Sequence, residues 1–296
     1  MTAPDVTAPR QDALLGILCM LTAVSLFPFL NASSKYLSAT YAIVMIVWAR
    51  NAGHLLFVLL AFMPTRGWRL FATNRLKLQT ARSLLLLGST GIYFTAISFI
   101  PLTEAAAISF TGPFIITALS VPFLGERVDT RRWLAVATGF MGALIIIRPG
   151  ADIHHWAAWL IVASTLCSAS YQLLTRKVGA TDPPETTVVY SALIGTLIMT
   201  LALPFAFTWP ADLLSWGLFL AMGFFGGIGH YFMAKAYRLA AASVVSPFSY
   251  AQLIGTVFIG YLVFGDLPDR WTWIGTAVIV ASGLYIARRE SRTRHA

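Results

Sequence analysis

Residues 123–133 read FLGERVDTRRW, and residues 263–273 read VFGDLPDRWTW. Each stretch runs from apolar residues to Gly, then an acid, then an Asp three residues on, then a Trp four further. A single shift of 140 residues superposes them: Gly125, Asp129 and Trp133 fall on Gly265, Asp269 and Trp273, and Glu126 falls on Asp266. The same shift carries Leu144 to Leu284, Ile146 to Ile286 and Arg148 to Arg288. A sentence repeated almost half a chain apart marks a duplicated unit.

The unit lies in a membrane. The chain is 57% hydrophobic and 11% charged, against about 25% charged in a soluble domain, and its mean hydropathy is +0.73. Apolar runs of spanning length recur throughout. Ten spans are expected, at about 14–36, 41–63, 80–100, 103–124, 131–148, 155–177, 185–208, 212–239, 242–264 and 270–288. Their separators are turn-rich and short, such as PTRGWR at 64–69 and GATDPPE at 179–185. The expected fold class is an all-α membrane protein, a single transmembrane domain over 1–296. The first run is too long for a signal-peptide core and is read as a retained helix.

The net charge of +9 reflects one-sided loops rather than a nucleic-acid surface. With both termini in the cytoplasm, seventeen Lys and Arg residues fall on inner segments, among them Arg66, Arg69, Arg75, Lys77 and Arg82, whereas Lys35, Arg148 and Arg270 are outer. Basic residues favour the cytoplasmic side. Five spans per unit is an odd number, so the second copy enters the membrane upside down. The repeats are about 14–148 and 155–288. Inverted repeats place a substrate site near the midplane between the halves and work by alternating access.

The segments "AAAISFTGPFIITALSVPFLGERVDTRRWLAVATGFMGALII" (105–146) and "AASVVSPFSYAQLIGTVFIGYLVFGDLPDRWTWIGTAVIVASGLYI" (241–286) make the chain resemble EamA-type members of the drug/metabolite transporter superfamily. The resemblance covers nearly the whole chain and extends most closely to the YddG-like amino-acid exporters. It implies export of amino acids, aromatic ones included, and related metabolites across the cytoplasmic membrane. A drug/metabolite exporter or an organic-anion or sugar-phosphate carrier of the same fold is the alternative.

Polar residues at membrane depth are the candidates for function. Arg50 lies roughly 13 Å into the second span at 1.5 Å per residue, where a guanidinium suits a carboxylate. His54 is one turn further on the same face. His230 follows the glycines of GFFGGIGHYF, of which Gly223 and Gly227 have a close-packing spacing. Ser164, Ser168, Tyr171 and Gln172 share one face of the sixth span. Tyr250, beside Ser246 and Pro247, and Gln252 mark the ninth span; Pro113 has a similar place in the fourth. Asn31 and Tyr93 complete the substrate-lining set. Histidine packing and helix–helix hydrogen bonding are the structural alternatives for these residues. Trp156, Trp159, Trp209, Trp216, Trp271 and Trp273 cluster at span ends, as belt anchors do.

No phosphate-loop motif G-x-x-x-x-G-K-[ST] occurs, so ATP is not the direct motor. All twelve acids sit in loops, tails or span ends. The small multidrug exporters that resemble this superfamily carry a Glu in their first helix, and this chain has none there. Facilitated transport is the simplest expectation, with coupling through His54 or His230 second. Cys19 and Cys167 have no metal-ligand spacing. No enzyme activity, cofactor or metal is expected, and the partners are a small-molecule substrate and the lipid bilayer, with the chain acting as a monomer.

Overall fold

Backbone groups in lipid must be satisfied within the segment itself, and this chain answers with helices. In the computed structural model, residues 10–124, 130–148, 155–178, 181–240 and 245–293 are described, and no strand occurs among them. The helices are α1 (Arg10–Ser38), α2 (Ile43–Arg66), α3 (Leu76–Ile97), α4 (Leu102–Ser109), α5 (Gly112–Leu124), α6 (Thr130–Ile147), α7 (His155–Val178), α8 (Pro184–Ala202), α9 (Leu213–Leu239), α10 (Gln252–Phe264) and α11 (Arg270–Thr293). Short 3₁₀ turns cover Gly67–Phe71, Leu203–Phe205 and Ser246–Ala251. Six stretches are long and apolar enough to cross a membrane: Ala13–Ser38, Ile43–Phe71, Leu102–Leu119, Trp156–Thr175, Pro184–Phe205 and Leu213–Met233. Trp133–Ile147 and Phe248–Phe264 are shorter apolar helices.

Two expected spans are not continuous helices. The run 103–124 is broken between α4 and α5 at Phe110 and Thr111. Pro113 has no N–H to donate to the Ser109 carbonyl, so the ladder lapses there. The Thr111 amide and hydroxyl both turn back to the Ile108 carbonyl, at 3.0 and 2.8 Å. The run 242–264 opens with the 3₁₀ stretch at Ser246–Ala251, which contains Pro247, before α10 begins.

The helices meet in definite pairs. α1 packs on α9, α3 on α7, α6 on α11, and α2 lies against both α8 and α9. α10 runs along α1 and α4, and α5 along α7. Lipid tails are as apolar as leucine, so these contacts rest on close backbone approach and interhelical hydrogen bonds. At the α2–α9 crossing, a Cβ on Gly53 would lie 2.6 Å from the Gly223 Cα. At the α6–α11 crossing, a Cβ on Gly275 would lie 2.5 Å from the Gly142 carbonyl. Both crossings exist only because each of these positions lacks a side chain.

Of the repeated motif, Gly125 through Asp129 lie outside the described residues. The second copy caps a helix: Asp269 Oδ1 accepts from the Thr272 amide at 2.7 Å, opening α11. It also ties the ends of other helices together. Arg148, at the end of α6, is 3.0 Å from Asp269. Lys35, in the last turn of α1, is 3.0 Å from Asp266 and donates to the Ile100 carbonyl at 3.0 Å.

Candidate substrate-binding site

The glycine contact between α2 and α9 sets the site. It brings the helices together so that Arg50 and His54 of α2 face His230 of α9. All three side chains come from the interior face of their helices; Arg50 is 4% and His54 1% exposed. Arg50 Nη2 lies 2.8 Å from His230 Nε2, and Nη1 donates to Asn51 Oδ1 at 3.2 Å. Asn51 is held in turn by the Val47 carbonyl at 2.8 Å and fits against Gly195 of α8, where a Cβ would strike its amide. The His54 and His230 rings are stacked, 5.6 Å between centroids and 5° from parallel. Phe27 of α1 leans on His230 at 5.4 Å.

The glycines of α9 each have a task here. Gly227 makes room for Phe57, Gly229 for Phe27, and Gly226 for Leu30, with Arg50 Nε 3.8 Å from where a Cβ at 226 would stand. Arg50 Nε and both ring nitrogens of His54 have no hydrogen-bond partner among the described residues.

A second buried arginine corrects the sequence reading. Arg82, counted above with the basic residues of the inner segments, lies on α3 and is 0% exposed. Its Nε donates to Thr175 Oγ1 at 2.9 Å, Nη1 to Gln79 Oε1 and the Thr187 carbonyl at 2.8 and 2.7 Å, and Nη2 to Tyr171 and Ser191 at 3.1 and 2.6 Å. All five N–H groups of the guanidinium are used. Gln79 passes the connection on to Asp182 through a 2.8 Å bond, and Thr73 also donates to Asp182. A signal was available: Gln79, Arg82 and Ser83 share one face of a helix.

The other candidates divide. Tyr171 joins the Arg82 network, with Arg82 over its ring at 4.8 Å. Asn31 and Tyr93 meet each other in a long 3.5 Å contact between α1 and α3. Ser168 is half-buried on α7 and Gln172 is exposed. Ser164 is a helix-packing residue, exchanging hydrogen bonds with Ser89 of α3 at 2.8 and 2.9 Å. Tyr250 packs edge-on to Phe110 at 5.1 Å, and Gln252 is half-buried at the start of α10. The Ser246 and Pro247 side chains lie outside the described residues. The grouping is therefore Arg50, Asn51, His54 and His230 with Phe27, flanked by the Arg82–Tyr171 network.

Buried donors around a cation, an aromatic wall and a membrane setting fit a carrier for an acceptor-bearing small molecule. A profile of the EamA-like transporter family matches residues 14–148 and again 155–288. The chain belongs to that family. A riboflavin transporter of Vibrio cholerae serotype O1 is 33% identical over 290 residues, 96% of each chain. The pseudopaline exporter CntI of Pseudomonas aeruginosa is 30% identical over 281 residues, covering 92% of this chain and 96% of the exporter. A solved crystal structure 18% identical in sequence superposes with a TM-score of 0.67, over 93% of this chain and 98% of the other; at that identity it speaks for the fold alone. The protein is a transporter and not an enzyme, and with its series of apolar helices it is a multi-pass protein of the inner membrane.

Proposed function

We propose that this EamA-like transporter carries a flavin-type substrate, riboflavin or a close ring relative, by alternating access between two inverted five-helix halves. The halves are residues 14–148 and 155–288, with ten spans and both termini in the cytoplasm. The observation that carries the substrate class is the Arg50–His230–His54 cluster. It holds a buried cation and several unengaged donors, and no acid approaches Arg50 among the described residues. A cationic ligand would meet uncompensated like charge in a medium that screens poorly. A neutral or anionic ring with carbonyl and nitrogen acceptors on its edge meets what the cluster offers. The similarity to a riboflavin transporter over nearly the full chain supports this reading.

Amino-acid export, implied by the resemblance of the sequence, rests on Arg50 as a carboxylate fork. In the folded chain Nη1 and Nη2 each hold one protein acceptor, and Nε has none among the described residues, so three of the five N–H groups remain open. Amino-acid export therefore stays as the second reading, which the flux panel separates from the first.

The two-half architecture is supported by the packing pattern. Exchanging the halves turns the α1–α9 pair into α7–α3 and the α1–α10 pair into α7–α5, and returns α2–α8 and α6–α11 to themselves. The α4–α5 break at Phe110 corresponds, under the shift of 140, to Tyr250 in the 3₁₀ stretch. Those two residues touch, as equivalent residues near a two-fold axis must. The sixteen inner Lys and Arg residues that remain after Arg82 is moved to the interior still outnumber three outer ones, which supports the orientation.

The test is flux in liposomes carrying the purified protein, measured inward and outward, with riboflavin, a panel of labelled amino acids, sugar phosphates and a cationic drug. Saturable riboflavin movement above that of protein-free liposomes is the expected result. Movement of amino acids or sugar phosphates without riboflavin would overturn the assignment.

A further inference from the structure

A groove of about 520 Å³ runs along the surface where four helices meet. Its walls are Ile43 and Val47 of α2, Leu87 and Ile92 of α3, Leu160 of α7 and Met199 of α8. α2 and α3 belong to the first segment that the family profile matches, and α7 and α8 to the second, so the groove lies on the seam between them. None of its lining residues belongs to the Arg50–His230 cluster.

Sequence position sets the depth of the groove. Ile43 opens α2, and Thr95, at the far end of the α3 wall, lies just before that helix ends at Ile97. Beyond it Phe99 and Trp156 meet, 4.8 Å between ring centroids, as aromatic residues do at headgroup level. From Leu87 to Thr95 the helix rises about 12 Å, which fits within one leaflet of a hydrocarbon core about 30 Å thick. Leu84 and Phe99, on α3 and just past its end, flank the groove and are 45% and 49% exposed. At this depth the medium they are exposed to is acyl chain.

Gly88 and Gly91 also line the groove, and a Cβ added at either meets nothing within 4 Å. At Gly53 and Gly223 the missing side chains admit a neighbouring backbone; at 88 and 91 they admit no described part of the protein. Glycine inside a helix is unfavourable relative to alanine, so the space it leaves here has no return unless something other than protein fills it. Chemistry narrows the occupant. Among the described residues no charged side chain lines the groove, and the one hydroxyl, Thr95 Oγ1, is turned back to the Gly91 carbonyl at 2.8 Å. Water needs two or more polar partners to stay in such a space. A flavin, a sugar or an amino acid would leave its donors and acceptors unpaired there. A hydrocarbon chain loses nothing and gains the dispersion contacts that an empty groove forfeits.

We propose that this groove is a binding site for one acyl chain of a membrane phospholipid, held on the seam between the two matched segments. Because both segments contribute walls, the chain packs between them as a shared side chain would and completes a surface that the protein leaves open.

The test uses a phosphatidylethanolamine carrying a photoactivatable diazirine midway along one acyl chain. The full-length protein is loaded with it in liposomes, extracted into detergent, washed free of loosely held lipid and irradiated, and the labelled residues are mapped by mass spectrometry. Label concentrated on residues 43–47 and 87–95 is the expected result. Combining Gly88→Leu with Gly91→Leu fills the groove from within and should remove most of that label. Gly217→Leu, on α9 where an added Cβ also meets nothing within 4 Å, should leave it in place. Gly88→Ala with Gly91→Ala adds only methyl groups that meet nothing and should remove part of it. Label spread evenly over exposed apolar residues such as Leu220 of α9, 70% exposed, would overturn the proposal. A disulfide between two copies of the chain through Gly88→Cys would also overturn it, by giving the groove to a second copy. The wild-type labelling pattern decides the matter even where a variant does not fold.

Discussion

Arg50 Nη2 and His230 Nε2, on helices 180 residues apart in the chain, meet at 2.8 Å directly beside the point where Gly53 and Gly223 bring the two backbones into contact. The order of cause runs from glycine to chemistry. Small residues let α2 and α9 close, closing desolvates Arg50, and a desolvated guanidinium must find acceptors. The protein supplies Asn51 and His230, and Nε is left without a partner among the described residues.

Arg50 should therefore be required for transport and not merely for folding. Arg50→Ala removes hydrogen bonds of a charged donor, worth about 1.5–3 kcal/mol, and riboflavin flux should fall at least tenfold at matched protein level. Arg50→Lys keeps the charge but cannot reach both acceptors with one ammonium, and should recover only part of the flux. Unchanged flux in both variants would make Arg50 a packing residue.

Arg82 should behave in the opposite way. Its five donors are filled by protein groups on α3, α7 and α8, which is the arrangement of a structural post. Arg82→Ala removes five hydrogen bonds of a buried charged donor to Gln79, Tyr171, Thr175, Thr187 and Ser191, each worth about 1.5–3 kcal/mol, and should produce a large drop in the melting temperature in detergent. Gln79→Leu should be non-additive with it, because the two side chains share one network through to Asp182. Additive losses would show that the network does not act as a unit.

The different fates of these two arginines explain how far the sequence could be read. The helical membrane fold follows from composition and run length, which the chain states in every segment. Arg50 stands out because it interrupts an apolar run at mid-depth. Arg82 does not, because it sits near basic residues at the edge of a run, where Lys and Arg ordinarily lie in water; only its neighbours Gln79 and Ser83 hint at burial. The α4–α5 break is signalled by Pro113, yet proline inside a membrane helix often only kinks it, so the interruption depends on tertiary packing. Pairings such as Asn31 with Tyr93 or Arg50 with His230 join residues 62 and 180 apart, and no local pattern specifies them. Ser164 and Gln172 show how little a shared helical face specifies: Ser164 is bonded to Ser89, whereas Gln172, eight residues on, is exposed.

The α2–α9 contact offers a purely steric test. A methyl group at Gly53 would meet the Gly223 Cα at 2.6 Å, well inside van der Waals contact and against backbone that has no rotamer to move. Gly53→Ala should force the helices apart, at a cost of about 1–3 kcal/mol or more for overpacking, and separate Arg50 from His230. Reduced melting temperature together with lost transport is expected. Gly217→Ala, on the same helix α9 but with nothing within 4 Å of its added methyl, is the control and should be silent. A silent Gly53→Ala would mean that the helices do not approach as closely as the glycines allow.

Asp269 carries the clearest pH dependence outside the membrane-spanning segments. Partial burial pushes its carboxyl up, but the amide and hydroxyl of Thr272, the Arg148 guanidinium and the Trp271 amide outweigh this and hold it below its ordinary value. A carboxylate whose folded value is depressed stabilises the fold fully above the unfolded value, and that contribution is lost as pH falls through the folded value. With an ordinary carboxylate near about 3.9, the loss begins in that region and continues below it; above pH 6 the contribution is constant. The helix cap that Asp269 forms is worth about 1 kcal/mol, while the half-exposed ion pair to Arg148 adds little. Asp269→Ala should lower stability near neutral pH by about that amount and should flatten the acid limb of a melting-temperature profile, so that the variant and the wild-type protein converge as pH is lowered. Asp269→Asn keeps an acceptor for the Thr272 amide and cannot titrate. It should retain most of the neutral-pH stability while losing the pH dependence, and parallel acid limbs for Asp269→Asn and the wild-type protein would show that the carboxylate is not the titrating group.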